Sequence, residues 1–407
     1  MAKRAALRLR TFRRSQTYKF LRTLLLLTLV YTLIDVLHVR KAWTAEQEEA
    51  PLLGRERIYI ASMLWMDEAV IRSHYGDALI AIAEEIGRAN VFVSIHESGS
   101  WDDTKGALQL LESKLTSIGV RSKFVLDPTT HTDEIMKEPA ETGWIRTPRK
   151  QLERRRIPYL ADLRNLVMQP LYEMEKKGEK FDKILFLNDV VFNSDDVRTL
   201  LATRGGDYAA ACSLDFKHPP VLYDTMALRD SEGHDPLSQR WPFFRSRNSR
   251  RAMKAGDPVP VDSCWNGIVV MDAAPFYADK PLAFRGIPDS LAASHNEGSE
   301  CCLIHADNPL ARSRGVWVNP RVRVSYDTEA YGKISPTPPW LSMWQSVTGT
   351  WSNRILRWST SPWFKQQVIK RRVRSWQRTA PLEHREVGTV CLINEMQVLS
   401  PIGWQHV

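Results

Sequence analysis

Asp189 directly follows Phe181-Asp-Lys-Ile-Leu-Phe-Leu187, the most apolar strand-like run in the body of the chain, and its neighbour is Asn188. A carboxylate at the end of a buried strand must be held by a cation or by defined hydrogen bonds, because burying it unpaired is costly. Mg2+ or Mn2+, shared between Asp189 and a diphosphate, would meet that need; a structural cap is the other reading. Glu97 and Ser98 belong to the polar stretch His96–Thr104, which follows a second apolar run and enters a helix N-terminus. A base and ribose could hydrogen-bond there, and the helix end favours a phosphate; a solvated turn fits the same residues. Trp265 and Asn266 precede the apolar run Gly267–Met271, where a Trp can stack on a pyranose or join the core, and an Asn can read sugar hydroxyls. Glu297, Glu300, His305 and Asp307 crowd into the segment 296–308. If Ser299 opens a helix, Glu300, Leu303 and Ile304 share one side and His305 ends it. A lone His is usually structural, but beside these acids it is also a candidate metal ligand.

The elements around these residues alternate. Strand patterns at 57–62, 90–95, 121–126 and 181–187 are separated by helical patterns at 69–87, 103–119 and 158–177, which indicates a parallel sheet with helical crossovers. Further short buried strands are expected at 208–214 and 267–271. Segment 127–156 reads as a polar loop over the sheet. Segment 215–261 lacks periodicity, as functional lids and binding loops do. Ligands of such sheets bind at the carboxyl ends of the strands, where the residues above stand. The chain contains no G-x-G-x-x-G, no P-loop and no G-x-S-x-G, which removes the main support for dinucleotide, P-loop and α/β-hydrolase readings.

Eight of the nine excess positive charges lie within the first 22 residues, so the body is near neutral and a nucleic-acid partner is excluded. The basic stretch precedes an uncharged apolar run from Thr23 to Ile34. Extended to Val39 through Asp35 and His38, it is roughly 26 Å of helix, near the thickness of thin early-secretory bilayers. No small-x-small cleavage site follows. An uncleaved signal anchor with a cytosolic N-terminus is therefore expected, placing the protein as a single-pass type II protein of the Golgi or another secretory membrane. The five cysteines suit that compartment, and their odd number leaves one thiol outside intrachain disulfides. Half of the 14 tryptophans lie from Trp340 onward, among Arg and Lys. That mixture fits a helical extension packed on the body, or a surface for anionic lipid or acidic glycan. The expected layout is a basic tail (1–22), an anchor (23–39), a stem (40–55), a catalytic domain (56–335) and a Trp/Arg-rich extension packed on it (336–407).

Several blocks resemble the fungal cryptococcal mannosyltransferase and capsule-associated protein family: Phe186–Phe192, Arg204–Asp215, Tyr223–Asp230, Cys264–Asp272, Gly286–Ala293 and Ser299–Pro309. The resemblance covers roughly residues 56–335. It implies a GT-A-like α/β transferase, using GDP-mannose to form an α-1,3 linkage, with retention, on a mannose-containing glycan. Such enzymes commonly hold a divalent cation through D-x-D at a strand end; here Asn188-Asp189-Val190 supplies one carboxylate. The resemblance assigns Mn2+ or Mg2+ to Asp189, with His305 as second ligand. Glu97, Ser98 and Arg164 are expected at the nucleotide end, with Asn188 beside the donor. Asp215, Trp265 and Asn266 would shape the sugar and acceptor site, and Glu300 would position the acceptor hydroxyl. The competing reading is a non-catalytic membrane-anchored factor in capsule or cell-wall polysaccharide assembly, to which the missing carboxylate lends some weight.

Overall fold

The computed structural model describes residues 2–44, 56–334, 340–381 and 383–407, with the backbone alone for 2–15. Most of the stem expected at 40–55 lies outside the described residues. Ten strands form one sheet: β1 (Ile58–Leu64), β2 (Val91–Ser98), β3 (Arg121–Asp127), β4 (Lys183–Leu187), β5 (Ala210–His218), β6 (Val221–Leu222), β7 (Arg229–Asp230), β8 (Val259–Ser263), β9 (Ile268–Asp272) and β10 (Val316–Ser325). Their order is β3-β2-β1-β4-β9-β5-β10-β8-β7, with β6 paired to β5. The half from β3 to β4 is parallel, as the alternation of strands and helices requires. Strand β9 then enters antiparallel between β4 and β5, and β10 runs parallel to β5.

Both faces are covered, which explains the near-continuous apolar runs of the central strands. Tyr59, Ala61, Ile184 and Phe186 face one core, with α1 (Ala2–Thr44) and α4 (Arg156–Glu175) on that side. Ile58, Ile60, Leu185 and Leu187 face the other, under α2 (Gly76–Ile86) and α3 (Thr104–Ser117). Helix α2 stops at Gly87, whose φ of 97° only glycine adopts freely. Helix α3 starts where the Asp102 carboxylate accepts from the Thr104 backbone N–H at 3.1 Å. Pro158 sits in the first turn of α4, where its missing N–H costs nothing.

Two segments hold more structure than their sequences announce. The expected polar loop 127–156 contains a helix, His131–Met136, opened by a capping box from Thr130, and a hairpin of Trp144–Arg146 with Leu152–Arg154. The aperiodic stretch 215–261 supplies β6, β7, α5 (Arg247–Ala255) and β8. Most of these pieces are two to six residues long and α5 is largely polar, so tertiary pairing rather than apolar periodicity reveals them.

The C-terminal extension is tied to the body. Ser299 does open a helix, α6 (Glu300–Asp307), by accepting from the Cys301 N–H. Cys302 of α6 is disulfide-bonded to Cys391, and Glu297–Gly298 pair with Leu392–Ile393. A second disulfide joins Cys212 to Cys264, and Cys301 is the free, buried thiol. The extension also contributes α7 (Met343–Ser359) and α8 (Trp363–Thr379).

Candidate active site

Antiparallel insertion of β9 is what assembles the site. Because β9 runs against β4 and β5, its start meets their carboxyl ends, and the Asn188 N–H donates to the Gly267 carbonyl at 2.9 Å. The turn Trp265-Asn266-Gly267 is left-handed at both its last residues (φ 44° and 89°). A Cβ on Gly267 would lie 2.5 Å from Val324 Cγ2, so this turn fits under β10 only with glycine. The geometry aims Asn266 inward: its Nδ2 donates to Asp215 Oδ1 and to the Asp224 carbonyl, each at 2.8 Å. Trp265 Nε1 donates to Asn188 Oδ1 at 3.1 Å. The tryptophan ring lies under the Arg164 guanidinium, 4.4 Å away, whose Nε donates to Glu300 Oε1 at 3.1 Å. Strand β10 ends beside Asp215, and the following Tyr326 donates to Asp215 Oδ2 at 2.9 Å.

Most of these groups border a cavity of about 600 Å3, while Asp215 and Asn266 are buried and do not line it. Asn188, Arg164, Trp265 and Glu300 line it, together with Arg156, Asp224 and Tyr326, whereas Asp189 is not among its lining residues. A pocket of this volume suits a nucleotide sugar or a short glycan. Glu395, Gln397, Trp404 and His406 of the C-terminal extension also contribute to the wall. A cavity half-walled by Arg, Trp, Tyr and carboxylates has the stacking and charge chemistry that sugars and phosphates require.

Burial sets the charge state. Asp215 is fully enclosed and its carboxyl is pushed up to about 7, by desolvation first and by Asp224 second. Asp224 is raised by desolvation in turn, with Arg156 opposing. Asp189 is also raised by burial, and Asp67, just beyond β1, is pushed to about 8 by burial and then by Asp189. Tyr326 lies in the field of Asp189, Asp215 and Asp224 together. Asp215 raised by Asp224 and Asp67 raised by Asp189 are acids whose charge a cation would balance.

The remaining expected residues divide. Glu97 is fully buried at the end of β2, paired with Lys105 at 2.8 Å, and Ser98 is buried beside it. Both stand over β1 and β2 near Asp67, and Arg164 stands with Glu300 instead, so this trio does not form one cluster. His305 is a correction. Its Nε2 bonds the Cys264 carbonyl at 2.7 Å beside the Cys212–Cys264 disulfide, and it lines a separate cavity of about 830 Å3. Burial pulls its pKa down to about 4, and no carboxylate is close enough to raise it. The neighbouring sulfurs are already bonded to each other, so His305 is not brought to Asp189 as a second ligand. Sequence reasoning passed over Asp67, Asp224, Arg156 and Tyr326. Only Asp224 carried a signal, inside the block Tyr223–Asp230.

The chain belongs to the family described as cryptococcal mannosyltransferase 1, whose model matches residues 57–307, more than half of its length. An α-1,3-mannosyltransferase of Cryptococcus neoformans, CMT1, is 26% identical over 318 residues, covering 72% of this chain and 64% of the relative. The chain thus spans less than two thirds of that protein's length. Among solved structures, the Pyrobaculum calidifontis mannosyltransferase PcManGT, in complex with GDP-Man and Mn2+, aligns over 88% of this chain and 89% of its own. That alignment has 11% identity and a TM-score of 0.37. The Staphylococcus aureus protein TarS aligns over 80% of this chain and 74% of its own, with 13% identity and a TM-score of 0.38.

Proposed function

We propose that the protein is a membrane-anchored glycosyltransferase that moves mannose from GDP-mannose to a mannose-containing glycan, forming an α-1,3 linkage with retention. The observation that carries this reading is the convergence of Asp224, Glu300, Arg156 and Arg164 on one cavity at the carboxyl ends of the strands, with Asp215 buried against Asn266 and Tyr326, and Tyr326 in the field of Asp189. The helix Gln16–Thr44, long and apolar enough to cross a membrane, supports the anchor, a secretory location and a luminal body.

The donor set is all oxygen, which fits a hard divalent cation, Mn2+ or Mg2+. Asp189 and Asp224 are the residues that would hold it. When bound it would neutralise the charge developing on the departing diphosphate. The chain's own residues do the rest. Trp265 fixes the Asn188 amide and presents a ring edge to the sugar. Asn266 and Tyr326 hold the Asp215 carboxyl still, so donor-facing groups need no reorganisation at the moment of reaction. Arg164, already bound to Glu300, orients that carboxylate toward an acceptor hydroxyl. Arg156 lines the cavity as a further positive group for the phosphates.

Purified full-length protein, incubated with GDP-mannose and Mn2+, should form a mannosylated product with mannose-containing oligosaccharides and should slowly hydrolyse the donor without them. Neither transfer nor hydrolysis, in a folded protein, would support the non-catalytic assembly factor instead.

A further inference from the structure

The extension carries an apolar stripe that, among the described residues, is left largely exposed. On α7, Trp344, Trp351, Ile355 and Trp358 recur at i, i+7, i+11 and i+14 and therefore share one face. Trp344, Ile355 and Trp358 are each more than half exposed, as are Trp363 and Phe364 at the start of α8. Trp351, in the middle of the stripe, is the exception because it touches α1: its Nε1 donates to Thr32 Oγ1 at 3.0 Å. One residue pair along, Arg354 donates to Asp35 at 3.0 Å and stacks 4.5 Å from the Tyr31 ring. Lys254 of α5 meets the same Asp35 carboxylate at 2.8 Å. Asp35 is thus paired with two cations on the body, whatever the surrounding medium.

The length of α1 then sets the height of the body. Val36 and Val39 are buried against the body, and Trp43 packs on Trp340. From Thr32 onward one face of α1 is therefore docked, without an intervening spacer. The uncharged stretch of the helix left free before this docking, from Thr23 after Arg22 to Val30, measures roughly 12 Å at about 1.5 Å per residue. That is shorter than a hydrocarbon core of roughly 27–30 Å. A helix that spans the bilayer on this length draws its docking partners, α7 and α5, down to the lipid boundary. Trp and Phe favour that boundary, and Arg247 and Arg251, exposed on α5, match phosphate headgroups.

We propose that α7 and the start of α8 form a membrane-seating surface, in which Trp344, Ile355, Trp358, Trp363 and Phe364 enter the interface of the leaflet that α1 leaves. The proposal rests on the anchor reading above. A seated body holds the cavity mouth at a fixed height over the bilayer, so the acceptor is met at the membrane surface.

Full-length protein carrying single spin labels and reconstituted in phosphatidylcholine–phosphatidylserine vesicles tests it by collision with oxygen and with a water-soluble nickel chelate. Labels replace Leu29 on α1, Trp358 on α7, Phe364 on α8 and Leu110 on α3. Leu110 is a control at the opposite edge of the sheet, eight strand spacings or roughly 38 Å away; Cys301 is buried and does not compete for label. Labels at 29, 358 and 364 should favour oxygen, deepest at 29, and the label at 110 should favour nickel. Trp344→Asp with Ile355→Asp should shift the label at 364 several-fold toward nickel while leaving 29 unchanged. A lipid-embedded 29 with 358 and 364 as open to nickel as 110 overturns the seating surface and spares the anchor. A water-exposed 29 overturns both.

Discussion

Asp215 offers a quantitative handle on the site. An acid whose folded pKa exceeds its unfolded value keeps its proton longer in the folded state. Its contribution to stability is therefore complete at low pH and is lost as pH rises from about 4, the unfolded value, through the folded one. For Asp215 that window runs up to about 7. Three pKa units correspond to about 4 kcal/mol; sharing the effect with Asp224 halves it to about 2 kcal/mol. Replacement of Asp215 by Asn keeps the shape and removes the titration. Between pH 4.5 and 7.5, cation-free wild type should lose about 3 °C more in Tm than the variant, given about 2 cal/mol/K of unfolding entropy per residue. Both curves still fall, because Asp67, pushed to about 8, remains in each. Thermal melts of detergent-solubilised protein, with chelator and intact disulfides, measure the difference. Parallel curves would refute the idea that burial holds this carboxyl neutral, and with it the argument for a cation-seeking cluster.

Gly267→Ala should lower stability by about 2–3 kcal/mol, since it combines a left-handed backbone with a contact to Val324, and denaturant unfolding reads it. Arg164→Lys should cut transfer at least tenfold despite retaining charge, because a point ammonium cannot both lie flat on Trp265 and donate sideways to Glu300 as the planar guanidinium does; steady-state kinetics with varied acceptor checks it. His305→Ala should destabilise the protein but leave the Mn2+ midpoint for transfer where it is, as His305 bonds Cys264 and faces another cavity. A shifted midpoint would restore it as a ligand.

The strand–helix alternation made the parallel half of the sheet legible, because Ile58–Leu64 and Lys183–Leu187 are buried on both faces and read as unbroken apolar runs. Asp189 and Asn266 were legible for the same reason: each flanks such a run. The antiparallel entry of β9 was not, since an apolar five-residue strand carries no mark of its direction. That direction decides which residues meet, so the pairing of Asn266 with Asp215 and the recruitment of Asp224 and Tyr326 became visible only in three dimensions. His305 misled because proximity in sequence to Glu300 says nothing about side-chain direction once Ser299 opens a helix. The wall built by Glu395, Gln397 and Trp404 lies far along the chain from Arg156, Asp224 and Glu300, and the Cys302–Cys391 disulfide, the 297–298/392–393 pairing and the contacts of Arg156 with Gln397 and Trp404 bring it back.

The central claim is that the buried carboxylates at the strand ends serve mannosyl transfer. Its most direct test is the rate of transfer from GDP-mannose by folded Asp189→Asn protein across a Mn2+ titration, beside wild type. The change preserves shape and removes one charge, so losing cation-assisted stabilisation worth several kcal/mol should lower the rate at least about a hundredfold at every Mn2+ concentration. Near-normal transfer by the folded variant would contradict the account and move the reaction away from Asp189.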